Sequence, residues 1–164
     1  MERVEIGVLG SAVVLAAAAY LTRAGQRRVF GAIAGGAAAA ALNIAIDIGA
    51  SAAQLWRYPG VSTPYAPLRY YSGALMGVAA IALVIWRLAR RYGARGVAAA
   101  LFALALLFPL RDYRVATTTH VIEFSAGFAP WLADGAAAVA VVALALAVMR
   151  FLVGPAESDA LARG

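Results

Sequence analysis

The chain has 164 residues, of which 64% are hydrophobic and 13% charged, with a formal net charge of +6. A water-soluble domain of this size carries far more surface charge, so lipid is the expected solvent for most of the chain and one domain is the natural count. Every basic residue is arginine, no cysteine is present and His120 is the single histidine; serine–lysine proteases, Schiff-base sites, P-loop phosphate binding, thiolate catalysis, iron–sulfur centres and bis-histidine haem are therefore excluded within one chain.

The first apolar run, Ile6 to Leu21, reads as a membrane helix. A secretory signal is disfavoured, because Glu2 and Glu5 flank Arg3 and make a poor basic leader. A short basic loop follows with Arg23, Arg27 and Arg28, so residues 1–28 form an N-terminal transmembrane helix and loop. Residues 29–153 form a core of four membrane helices, over Val29 to Leu55, Ser72 to Leu88, Val97 to Leu110 and Ala129 to Val153. Two long loops interrupt it, Trp56 to Tyr71 and Arg111 to Phe128, and residues 154–164 are a polar tail expected to be disordered. The fold class is thus all-α: a polytopic bundle of about five transmembrane helices.

Because the arginines flank apolar segments, they point to membrane topology rather than to nucleic acid. With the N-terminus outside, the inner segments hold Arg23, Arg27, Arg28, Arg87, Arg90, Arg91, Arg95, Arg150 and Arg163, against Arg3, Arg57, Arg69, Arg111 and Arg114 outside. Nine against five favours an N-out, C-in protein of a cytoplasmic membrane, with both long loops on the outer face. Trp56, Trp131 and the tyrosines of the first loop suit an interfacial belt there, the favoured reading; the alternative is that Trp56, Tyr58, Tyr65, Tyr70 and Tyr71 cap a lipid or peptide groove, with Trp56, Tyr71 and Trp131 as its candidate substrate-facing residues.

Ionisable residues inside membrane helices are expensive and mark functional sites. Asp47 lies in the second run, with Asn43 four residues before it, Ser51 four after and Gln54 continuing the stripe. Asp134 lies in the fifth run. Counting in from Leu55 and from Gly127 puts the two carboxylates about 12 Å and about 10 Å below the same surface. Glu123 and His120 fall in the loop above, and each carboxylate could instead simply pair with Arg69, Arg111 or Arg114. Two carboxyl groups held close in a partly dry site do not both ionise cheaply. One stays charged and deprotonates water while the other keeps its proton and polarises a carbonyl, chemistry that needs no lysine, cysteine or histidine.

The stretches His120-Val121-Ile122-Glu123-Phe124 and Pro130-Trp131-Leu132-Ala133-Asp134, followed by an apolar helix, resemble the C-terminal part of signal peptidase II, the lipoprotein signal peptidase. Leu110-Arg111-Asp112-Tyr113, Asp47-Ile48-Gly49-Ala50-Ser51 and Ser72-Gly73-Ala74 are similar to further segments of that family in the same order. The chain departs from the family pattern in carrying Glu123 for an aspartate, Trp131 for an asparagine, Ser51 for a lysine and Tyr113 for an arginine, and in having an extra helix ahead of a four-helix core.

The resemblance implies an aspartic-type membrane peptidase, without cofactor or metal, that cleaves lipid-modified prolipoproteins at the outer face of a bacterial inner membrane. Asp134 and Glu123 would be its catalytic pair, with Asp112, Asp47, Asn43, His120 and Arg111 in support. Two other expectations stand beside it: a catalytically silent membrane subunit or lipid- or peptide-binding protein of the same fold, and a small proton-coupled transport subunit using Asp47 and Asp134. The partners expected are membrane lipids and lipid-modified prolipoproteins, with no nucleic acid; the oligomeric state is not legible.

Overall fold

The computed structural model describes residues 2–155, with side chains from residue 8 onward, and is all-helical apart from one short ladder. Helix α1 spans Glu2–Thr22 and α2 spans Gln26–Ala52. Strand β1 is Trp56–Arg57, α3 runs Leu68–Thr119, β2 is Glu123–Phe124 and α4 is Ala129–Val153. Helices α2, α3 and α4 are long and apolar enough to cross a membrane, whereas the apolar stretch of α1, Val8–Thr22, is shorter. Most of the tail expected to be disordered lies outside the described residues.

The 52 residues of α3 do not form one rod. Gly93 has φ 61° and ψ −148°, a conformation open essentially to glycine alone. A straight helix would hold Tyr70 and Arg111 about 60 Å apart, yet both border one cavity. The chain therefore doubles back at Gly93, and α3 consists of two arms lying side by side. These arms are the runs expected at Ser72 to Leu88 and Val97 to Leu110. The second arm corrects one expectation, because it continues to Thr119 and carries Arg111, Asp112 and Arg114 on a helix rather than in a loop.

Small residues set the packing. Gly31 and Gly35, one turn apart on α2, lie against Met149, Val153 and the Ala145 backbone of α4, so closely that an added methyl at Gly35 would overlap the Ala145 carbonyl. Gly36, on the adjacent face of α2, abuts the Leu75 carbonyl in the first arm of α3. Without water to drive apolar surfaces together, membrane helices gain from such close backbone approach. The core that results, around Ala39, Ala79, Leu83, Val142 and Ala145, is closed to solvent. Helix α1 covers the first arm of α3, where Gly73 faces Val8 and Ser11.

At one end of the bundle the two long loops are stitched together. Strands β1 and β2 pair antiparallel, Trp56 opposite Phe124 and Arg57 opposite Glu123. The Ser125 backbone N–H adds a 3.0 Å hydrogen bond to the Leu55 carbonyl.

Candidate functional site

Asp47 sits near the end of α2 and is 3% exposed. Helix α2 stops at Ala52, and Gln54 takes a left-handed φ of 57° that turns the chain back. Gln54 therefore leaves the polar stripe it was expected to extend. The turn brings Trp56 over Asp47, and its indole N–H donates to Oδ1 across 3.0 Å. The Tyr71 hydroxyl, from the first arm of α3, donates to Oδ2 and accepts the Ala66 backbone N–H at 3.1 Å. Tyr58 adds a further interaction with the same carboxylate; burial, and then the Asp47 charge, push its phenol above the ordinary value, so it remains a donor. One carboxylate thus fastens α2, the first loop and α3 together. Tyr71, expected to border a substrate groove, is instead turned inward at 4% exposure.

The second group comes from α3 and α4. On the second arm, Arg111 Nε lies 2.7 Å from Asp112 Oδ1, and the guanidinium rests 5.0 Å from the Phe108 ring centroid. Asp134 faces this arm from the second turn of α4. It can approach because Gly135, the next residue, packs where a methyl would come within 2.6 Å of the Ala105 carbonyl. Asp134 Oδ2 and the Tyr113 hydroxyl are buried without a hydrogen-bond partner among the described residues. Asp134 feels the charges of Asp112, Arg111 and Asp47.

Asn43, Asp47, Tyr70, Arg111, Asp112 and Asp134 border a single cavity of about 280 Å³. Three helices contribute one aspartate each, and Trp56, Tyr58, Val121 and Ile122 from the loops close the outer side. The cavity continues into a mainly apolar groove of about 640 Å³ that shares Asn43, Tyr70, Arg111, Asp112 and Asp134. The groove runs past Gly73, Gly77 and Ile81 on one side and Phe108, Val141 and Val142 on the other, with Val8 and Ser11 of α1 at its edge. From Asp134 to Val142 it descends about 12 Å along α4.

Glu123 is placed differently from the expectation that pairs it with Asp134. Its register on β2 sets it opposite Arg57, whose Nη2 lies 2.6 Å and whose Nε lies 2.8 Å from Glu123 Oε2. The pair is open to solvent, and Glu123 is absent from the residues bordering the cavity. His120 ends α3 with a left-handed φ of 53° and is exposed. Trp131 stacks on Phe128 at 5.2 Å, and of the three aromatic residues expected at a groove Trp56 borders the aspartate cavity while none lines the apolar groove. Arg111, Asp112, Asp47 and Asn43, expected as supporting residues, do converge with Asp134.

Sequence reasoning saw Asp112 but placed it in a loop; it named Tyr58 only within an aromatic cluster and Tyr113 only as a departure from the family pattern, and gave neither a place beside an aspartate. A tyrosine or tryptophan beside a buried acid needs a partner for its polar tip, and the pairing of Trp56, Tyr58 and Tyr71 with Asp47 could have been anticipated on that ground. Compared with family models, with curated proteins and with solved structures, the chain has no match.

Proposed function

We propose that the protein is a membrane-embedded acid hydrolase acting on an amphiphilic, lipid-modified peptide, with Asp134 and Asp112 as its working carboxyl pair. The observation that carries this reading is the convergence of aspartates from α2, α3 and α4 on one cavity that opens into an apolar groove. The groove suits a hydrocarbon chain; the cavity suits the polar bond attached to it. Asp112, kept ionised by the Arg111 guanidinium, takes a proton from the attacking water as that water adds to the scissile carbonyl carbon. Asp134, buried and with one oxygen lacking a hydrogen-bond partner, enters protonated and gives its proton to the leaving amine as the carbon–nitrogen bond breaks. Asp47 holds the walls. The peptide nature of the substrate rests on the resemblance to signal peptidase II.

In this reading the two arms of α3, together with α1, α2 and α4, make five crossings of a bacterial inner membrane, with the cavity at the outer face. Support comes from the arginines gathered at the opposite end.

A second reading, a non-catalytic lipid- or peptide-binding subunit, is favoured by the ion pairs Arg111–Asp112 and Arg57–Glu123, which give two of the acids partners. One experiment separates the two. The purified protein is incubated with a diacylglyceryl-modified prolipoprotein peptide beside Asp134→Asn, Asp112→Asn and Glu123→Gln. Cleavage lost in both aspartate variants and retained in Glu123→Gln supports the hydrolase. Peptide that is bound but uncleaved by the wild-type protein supports the binding subunit instead.

A further inference from the structure

The groove beside the aspartate cavity is carved by small residues and has a floor. Gly73, Ala74 and Gly77 on the first arm of α3 line it, with Ala137 and Ala138 on α4. An added methyl at Gly77 would meet nothing within 4 Å, so space lies open at this level. Larger side chains end it. Ile81 and Val142 are the deepest groove residues of their helices. One turn further down, Ile85 and Ala145 are 2% and 0% exposed and belong to the closed core. The other two walls close in the same way. Leu15, one turn below Ser11 on α1, and Leu104, one turn below Phe108 on the second arm, both pack against that core.

Helix geometry gives the depth. The top of the groove is polar, with Arg69, Tyr70, Arg111, Asp112 and Asp134 bordering it. The descent from Gly73 to Ile81, and that from Asp134 to Val142, is about 12 Å on each wall. An extended chain advances about 1.2 Å per bond, so about ten carbons in file reach from the carboxyl groups to the floor. A polar mouth over a blind apolar groove is complementary to an amphiphile with one polar end. A partner helix, which crosses about 30 Å of hydrocarbon, has no room in a groove of this depth.

In lipid a chain gains nothing by exchanging one apolar surrounding for another. What separates one chain length from another is fit. A chain too short leaves the lower walls without contacting atoms and forfeits their dispersion attraction. A chain too long has to bend at the floor or leave the groove.

We propose that the groove selects its ligand by chain length, taking a hydrocarbon chain of about ten carbons whose polar end lies at the aspartates, and that Gly77 and Ile81 set that length. The inference rests on the reading of the cavity as the place of the bond next to this chain. A chain of the right length binds the native state alone and so stabilises it.

The test places the full chain in nanodiscs of a long-chain phosphatidylcholine and adds 1-monoacylglycerols from hexanoyl to octadecanoyl at equal mole fraction, reading the rise in Tm. In parallel, kcat and KM are measured for a lipid-modified peptide bearing the same chains. Wild type is expected to show its largest Tm rise and its lowest KM near decanoyl. Gly77→Leu blocks the groove one turn above Ile81 and should move the optimum down by about five carbons. Ile81→Ala opens room for about three more carbons and should move it up by that much. Val84→Ala, at a 45% exposed position of the same arm outside the groove, should leave it unchanged. Should Ile81→Ala fail to fold, Gly77→Leu still decides. A Tm rise that grows steadily to octadecanoyl, one that is equal for every chain, or an optimum unmoved in folded Gly77→Leu would each overturn the length selection. An optimum in Tm without cleavage of any peptide would keep the selective groove and remove the hydrolase reading; cleavage with no chain-length optimum would do the reverse.

Discussion

The Trp56 indole N–H donates to Asp47 Oδ1 across 3.0 Å, from a residue that lies just beyond the helix carrying the carboxylate. This bond, with that from Tyr71, makes Asp47 the fastening of the cavity wall. Asp47→Ala would strand the Trp56 N–H and the Tyr71 hydroxyl in a buried setting, at about 1–3 kcal/mol for each unsatisfied group. Thermal unfolding in detergent should show a large loss of Tm for Asp47→Ala and a smaller one for Asp47→Asn, which keeps one acceptor oxygen. An Asp47→Ala protein as stable as wild type would remove the fastening role.

Tyr58 gives this wall a pH dependence. Burial and the neighbouring Asp47 charge raise its phenol pKa in the folded protein. The unfolded chain therefore loses that proton first, near the ordinary tyrosine value of about 10. The contribution is complete below that pH and is lost as pH rises towards the folded value. Compared across about pH 8 to 11, wild type should lose Tm more steeply at the alkaline end than Tyr58→Phe. Parallel curves would show that Tyr58 titrates alike in both states.

Glu123 and Asp134 should separate in their effects on activity. An exposed ion pair contributes at most about 1 kcal/mol, so Glu123→Gln should lower Tm slightly and leave cleavage of a lipid-modified peptide within a small factor of wild type. Loss of a positioned general acid or base reduces rate by about 10²–10⁴, the range expected for Asp134→Asn and Asp112→Asn. An inactive Glu123→Gln beside an active Asp112→Asn would restore Glu123 to the pair.

The sequence made the membrane class legible through its apolar runs, and the convergence of Asp47 with Asp134 through simple counting of helical rise. The last helix, Ala129–Val153, has the expected bounds because Gly127 and Pro130 mark its start and Gly154 its end. What counting could not give was lateral order. Whether Glu123 turns to Arg57 or to Asp134 depends on a two-residue ladder whose register is set by Trp56 meeting Phe124. Asp112 was misplaced because the apolar run ends at Leu110 and the charged and polar residues from Arg111 read as a loop, yet the second arm of α3, with Pro109 buried inside it, continues to Thr119. In lipid, neighbouring helices can satisfy the backbone groups a proline frees.

The groove makes a claim on Gly77 that stability alone cannot. A methyl group there would meet nothing within 4 Å, and the residue borders the groove below Asp112 and Asp134. Gly77→Leu should fill the space without displacing the helix and should raise KM for a lipid-modified peptide while leaving Tm near wild type. Unchanged KM in a folded Gly77→Leu protein would mean that the hydrocarbon chain lies elsewhere.

Gly77 and Gly93 then form a matched pair that isolates the backbone reversal. At neither position would a methyl touch a neighbour, so the two alanine variants differ only in what the backbone must do. In the helix interior at Gly77 alanine is preferred over glycine by about 0.5–1 kcal/mol, and Gly77→Ala should be neutral to stabilising. At Gly93 the φ of 61° with ψ −148° is available to glycine alone. Gly93→Ala must therefore either bear about 1–3 kcal/mol of strain or move the reversal, which would carry Asp112 away from Asp134. The expected result is a lower Tm in Gly93→Ala, with loss of any activity that depends on the Asp112–Asp134 cavity. A Gly93→Ala protein that melts and acts like Gly77→Ala would show that the two arms do not turn at this glycine.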